Sequence, residues 1–193
     1  MVRLAFAAAT LLSIAAGRPE PAPVFHETVW FRGSAPAPGL VVTEDVAGHC
    51  VAPARSTPRA DAWRCFADEH FIDPCFSATA NSRAVLCPLD PWSKSVRLVE
   101  LTRRLPRLVE RRGRTNAPWG IWTTNAKRCV LAVSGATLRL AGRRVRYECA
   151  DSGFLVGYAD IGERAWTIGY VPRYDLGNPH LHPRRIGITD VWR

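Results

Sequence analysis

Six cysteines, Cys50, Cys65, Cys75, Cys87, Cys129 and Cys149, limit what this chain of 193 residues can become more than any other feature. They follow an N-terminal stretch with the form of a secretory signal. An even number of cysteines in an exported chain is most simply a set of disulfides, because such a chain never meets cytosolic reductants. Six cysteines allow many connectivities, and local spacing favours Cys50 with Cys65, Cys75 with Cys87, and Cys129 with Cys149. The last pair would tie neighbouring strands of one meander. No Cys-x-x-Cys spacing is present, so zinc held by cysteine is not expected.

Residues 1–17 read as the signal peptide. Met1-Val2-Arg3 supplies one positive charge, and Leu4 to Ala16 is an apolar run interrupted only by Thr10 and Ser13. A spanning helix needs about 20 apolar residues, so the run is too short for an anchor. Ser13-Ile14-Ala15 and Ala15-Ala16-Gly17 offer the small residues that a signal peptidase takes. No cysteine ends the run, which argues against a lipoprotein, and no later segment is long and apolar enough to span. The mature chain is expected to be soluble, without a transmembrane segment, and secreted or extracellular, with cell-wall association as the finer expectation.

A hydrophobic content of 47% with seven tryptophans is enough to fill a core, so residues 41–193 are expected to form a single disulfide-stabilised β domain. Each bridge then reinforces a core by about 2 to 4 kcal/mol, rather than replacing one. The net charge is +9, and +8 once Arg3 leaves with the signal. Lys94 and Lys127 are the only lysines among 26 basic residues. That bias reflects either GC-rich coding or a use for guanidinium chemistry.

Residues 18–40 carry Pro19, Pro21, Pro23, Pro36 and Pro38 and read as a Pro-rich tether, within which Val24 to Phe31 is apolar enough to dock as an edge strand. From Val41 to Pro91 the chain is dense in cysteine and reads as loop-rich. Ser56-Thr57-Pro58 offers a cap and a first-turn proline for a short helix over Arg59 to Trp63. The second half reads as strands at Val96 to Leu101, Gly120 to Thr123, Arg128 to Val133, Thr137 to Leu140, Arg143 to Cys149, Phe154 to Ile161, Trp166 to Val171 and Arg185 to Trp192. Leu138, Leu140, Val145 and Tyr147 alternate with Arg139, Arg144 and Arg146, the period of a half-buried antiparallel sheet with its arginines on the wet face. The expected fold is mainly β, an antiparallel meander forming a sandwich or small barrel, with a loop-rich disulfide-bonded N-terminal half.

Trp63-Arg64-Cys65, Asp73-Pro74-Cys75-Phe76, Leu86-Cys87-Pro88, Pro118-Trp119, Cys129, Tyr147-Glu148-Cys149 and the terminal Val191-Trp192-Arg193 resemble a set of small exported actinobacterial proteins of unassigned function. The resemblance runs from about Gly48 to Arg193. It implies an exported, disulfide-bonded domain and brings no catalytic residues.

Several constellations invite a chemical reading. His180 and His182, at i and i+2 on an extended chain, could face one metal ion, although their proline flanks suit a solvated loop. His26, His49 and His70 are isolated. His70, Asp73 and Ser77 are the residue types of a hydrolase triad, but no Gly-x-Ser-x-Gly elbow is present. Asp68 and Glu69 adjoin and would point apart, which makes them poor paired carboxylates.

Charge is densest between Arg97 and Arg114. Arg97, Arg103, Arg104, Arg107, Arg111, Arg112 and Arg114 stand there against Glu100 and Glu110, a surplus of five positive charges and a candidate anion-binding face. Trp92, Trp119 and Trp122 flank it, either as core or as sugar-stacking platforms. The sequence thus points to a non-catalytic secreted domain whose arginine-rich face meets the anionic cell envelope or an acidic partner. The alternative is a small secreted enzyme or metal-binding protein using His180 and His182. No cofactor and no nucleic-acid partner is expected, and oligomeric state is open.

Overall fold

The computed structural model describes residues 21–107, 117–132, 138–151, 153–173 and 181–193, so the signal segment 1–17 lies outside the described residues. The strands are β1 (Val24–His26), β2 (Phe31–Arg32), β3 (Ala35–Pro36), β4 (Val41–Pro53), β5 (Ala62–Ala67), β6 (His70–Phe76), β7 (Ala84–Pro88) and β8 (Ser95–Leu101). They continue as β9 (Gly120–Thr123), β10 (Arg128–Leu131), β11 (Arg139–Leu140), β12 (Arg143–Cys149), β13 (Phe154–Asp160), β14 (Thr167–Val171) and β15 (Arg184–Trp192). The fold is mainly β, and it holds two small barrels.

Strands β4 to β8 close the first barrel. Each reverses on the one before, and after four reversals the fifth strand again runs with the first. Closure must therefore be parallel, and β4 pairs with β8 in that sense from Val41↔Ser95 to Gly48↔Leu101. Strands β9, β10, β12, β13, β14 and β15 close the second barrel. Five reversals make its closure antiparallel, with Val191↔Ile121 in register.

Alternation fills both interiors. In β5, Trp63, Cys65 and Ala67 are buried while Arg64 and Phe66 between them are partly exposed. Trp63 and Val99 share the first core with both of its disulfides, Cys50–Cys65 and Cys75–Cys87. The second core holds Ile121, Tyr147, Leu155, Ile168, Tyr170, Ile188 and Val191. One disulfide, Cys129–Cys149, joins directly paired residues of β10 and β12 in that core. Inside it the Tyr147 hydroxyl donates to the Pro118 carbonyl at 3.0 Å, and burial pushes the phenol pKa well up.

The barrels meet in an apolar seam. Trp30 stacks on Phe76 with ring centroids 4.9 Å apart and meets Trp119 edge-on at 6.2 Å. Leu86 and Val96, from the first barrel, join the same cluster. A second contact brings Pro91 and Trp92 down onto β9 at Gly120, where an added Cβ would lie 2.4 Å from Pro91. Only glycine lets the Pro91 ring approach the β9 backbone this closely.

Two sequence readings change in detail. The short helix over Arg59 to Trp63 does not form: residues 57–59 are irregular, residues 60–61 turn, and β5 begins at Ala62. Ser56, one of the two hydroxyl residues there, instead gives its hydroxyl to Asp73 Oδ1 at 2.5 Å, and Trp63 is drawn inward by the strand period. The cysteine-dense half, read as loop-rich, is a closed barrel, whose register shifts in the β4–β5, β5–β6 and β4–β8 pairings interrupt the period of its strands. The edge strand expected within Val24 to Phe31 of the Pro-rich segment forms, at Val24–His26. β1 runs parallel to Asp190–Trp192 of β15, and Trp30 is 2% exposed.

Candidate functional site

The arginine run leaves the first barrel at the end of β8. Thr102 ties the chain back to the Gly48 carbonyl through both its N–H (2.8 Å) and its hydroxyl (2.9 Å). Leu105 packs against the first core. Between and beyond these anchors Arg103, Arg104 and Arg107 are exposed. Arg103 reaches the imidazole of His49 at 2.9 Å. Among the described residues none of these three arginines has a carboxylate partner. Arg111, Arg112 and Arg114 lie outside the described residues.

Arg97 stands apart from that group. It pairs with Glu44 at 2.5 Å, directly across the β4–β8 register, and with Asp68 at 3.7 Å. Its charge holds the parallel closure of the first barrel. Asp68 reaches it from a tight hairpin in which Asp68 and Glu69 both take positive φ, 48° and 64°. Asp68 and Glu69 thus serve a turn and an ion pair.

The second barrel carries a further basic surface. Arg139 and Arg144 are direct cross-strand neighbours on β11 and β12, and both are exposed. The Arg146 guanidinium lies 3.9 Å from the centre of the Tyr158 ring, which is itself 75% exposed. No carboxylate among the described residues forms an ion pair with Arg139, Arg144 or Arg146.

The other candidates have structural partners. His180 lies outside the described residues, and His182 is exposed. Among the described residues no group of three or more His, Cys, Asp and Glu could hold a metal ion. His70 is exposed, whereas Asp73 accepts from Ser56 and from the Arg55 N–H, and the buried Ser77 hydroxyl accepts from Trp63 Nε1 at 2.9 Å. These three residues therefore do not form a relay. Trp119 is 5% exposed, and Trp92 and Trp122 pack with Trp192 at centroid distances of 5.6 and 5.2 Å. Trp119 is core, and Trp92 and Trp122 are half-buried, with the Arg128 guanidinium lying over the Trp122 ring.

His26, isolated in sequence, meets Asp190 at 2.7 Å and stacks on Trp192. Parallel pairing of β1 with β15 brings it there, and no local signal announced that pairing. A cleft of about 350 Å³ lined by Phe71, Asp73, Arg97, Trp119 and Leu131 opens between the barrels. Desolvation raises the pKa of Asp73, against the pull of its bonds to Ser56 and Arg55. Both charged groups in this cleft already have partners, so the cleft offers no acid or base with a free hand.

Lys127 ion-pairs with Asp151, and the Tyr170 hydroxyl donates to the same carboxylate at 2.9 Å. Desolvation works to raise the pKa of Asp151. The bonds from Lys127, Tyr170 and the Gly153 N–H outweigh it and hold the group below its ordinary value.

No helix among the described residues is long and apolar enough to cross a membrane. No family model, curated protein or solved structure matches the chain.

Proposed function

We propose that this protein is a secreted, non-catalytic domain that associates through its arginine-rich surface with an anionic polymer of the cell envelope or with an acidic partner. The observation that carries this reading is the set Arg103, Arg104 and Arg107. They are exposed at the end of β8, without carboxylate partners among the described residues, in a chain of net charge +9. Exposed guanidinium groups that no carboxylate neutralises are available to phosphate or carboxylate oxygens outside the fold, and Arg103 keeps donors beyond the one it gives to His49. Export rests on the signal-like segment 1–17, and the three disulfides suit an oxidising compartment.

The test is co-sedimentation of the oxidised, signal-free protein with purified cell envelopes over a salt series. Binding at low salt that disappears at high salt supports the proposal, because screening shortens the reach of exposed charge. No binding at low salt, or binding indifferent to salt, overturns it.

A further inference from the structure

The β11–β12 hairpin contains a placement that the fold itself does not need. Leu140 and Arg143 pair across a two-residue turn in which Ala141 and Gly142 both take positive φ, 48° and 72°. That is the geometry of a turn whose twist matches the strands and fixes their register. One pair further on, Arg139 stands opposite Arg144. One more pair on, the Val145 N–H donates to the Leu138 carbonyl at 2.9 Å, so that pair is hydrogen-bonded. Hydrogen-bonded and non-bonded pairs alternate along an antiparallel ladder. Arg139 and Arg144 therefore occupy a non-bonded pair, the kind in which Cα atoms are closest, at about 4.5 Å.

Like charges directly opposite one another destabilise a sheet. Here neither has an ion-pair partner among the described residues, and the Arg139 guanidinium donates only to the Gly142 carbonyl of its own turn, at 3.0 Å. An anion seated between the two would remove the repulsion. Geometry also selects which anion. A carboxylate presents its acceptor lone pairs in one plane, whereas the oxygens of a phosphate group are set tetrahedrally and can accept from two forks that approach from different directions. Two residues along β12, Arg146 lies on the Tyr158 ring, which leaves an exposed aromatic surface and a third guanidinium beside the pair.

We propose that Arg139 and Arg144 form a two-pronged clamp for one phosphate group of a phosphate-bearing polymer, with Arg146 and Tyr158 flanking the neighbouring unit. This rests on the proposed polyanion role. It adds a second surface, on the other barrel, and a ligand chemistry.

The experiment compares the oxidised protein's affinity for inorganic polyphosphate and for polygalacturonate at matched charge and salt. Three variants accompany it: Arg139→Lys with Arg144→Lys, which keeps the charge and removes the forks; Arg139→Gln with Arg144→Gln; and Arg103→Gln with Arg104→Gln. The clamp predicts about a tenfold preference for polyphosphate in the natural sequence. Both variants of the hairpin lose that preference, while the Arg103 and Arg104 variant weakens both ligands and keeps it. A clamp variant that retains the preference overturns the proposal and leaves the broader polyanion role standing. Equal affinity for the two polymers in the natural sequence does the same. Failure of the natural sequence to bind either polymer overturns both.

Discussion

The two barrels solve the same problem with different means. The first closes five strands, and an odd number obliges it to pair β4 with β8 in parallel, an arrangement slightly weaker per residue than the antiparallel one. It compensates with covalent bonds: two of the three disulfides lie in its core, and Arg97 joins Glu44 across the closing seam. The second closes six strands antiparallel throughout and fills its interior with Ile121, Tyr147, Leu155, Ile168, Tyr170, Ile188 and Val191 around one disulfide. A small barrel with little room for side chains depends on cross-links, and a larger one depends on packing.

Among single substitutions, removing the packing that the first barrel does possess strikes hardest at this contrast. Trp63 is its largest fully buried side chain and donates to Ser77. Trp63→Ala is expected to cost about 3 to 5 kcal/mol, measured by denaturant unfolding of the oxidised protein. A loss below about 1 kcal/mol would mean that the disulfides alone hold the barrel together.

Reduction tests the other half of the contrast. Opening both bridges of the first barrel is expected to cost about 2 to 5 kcal/mol for each. Hydrogen exchange under mild reducing conditions should therefore show residues 44–101 losing protection before residues 120–192. Earlier loss in the second barrel would invert the assignment of cross-links to one and packing to the other.

Gly120→Ala probes the seam between them, since an added Cβ meets Pro91 at 2.4 Å. The expected cost is about 1 to 3 kcal/mol, with tryptophan fluorescence reporting movement of Trp92. Unchanged fluorescence and stability would show that the 91–92 segment yields freely.

A weaker effect is one of pH, and it has opposite signs in the two barrels. Desolvation raises the pKa of Asp73, so its burial weighs against the first barrel at neutral pH. That burden lifts as pH falls through the raised value and is gone below the ordinary 3.8. Asp151 is held below 3.8, so its contribution to the second barrel is present above that value and disappears as pH falls through the depressed one. Stability should thus rise on mild acidification and fall on stronger acidification. Asp73→Asn should abolish the rise and Lys127→Met should reduce the fall. A monotonic profile unaffected by either substitution would contradict this assignment.

What the sequence shows and hides follows from the same contrast. In the second barrel Arg143 to Cys149 alternates cleanly, and β12 occupies that same span. β9 likewise spans Gly120 to Thr123, as its pattern indicates. In the first barrel β6 carries Pro74 within its run and β4 begins with a run of exposed residues, so periodicity gives way and β4 to β7 read as loops, whereas β8 stays legible at Val96 to Leu101. Local cysteine spacing points to the three bridges because each joins segments close in the chain. Long-range partners such as His26 with Asp190 leave no such trace, since nothing near either residue encodes a parallel pairing 164 positions away. The candidate site is intermediate. Charge density picks out Arg103, Arg104 and Arg107, but only the β4–β8 register separates Arg97 from them, and only the hairpin register sets Arg139 opposite Arg144.

If the exposed arginines at the end of β8 serve a partner and not the fold, removing them must change binding and leave stability alone. The decisive measurement is envelope binding against salt for the natural sequence and for Arg103→Gln, Arg104→Gln and Arg107→Gln combined, with thermal unfolding of both recorded alongside. The expected result is an unchanged unfolding temperature and a salt dependence shallower by about one unit of slope for each anionic group that an arginine no longer neutralises. An unchanged salt slope in the triple variant would contradict it.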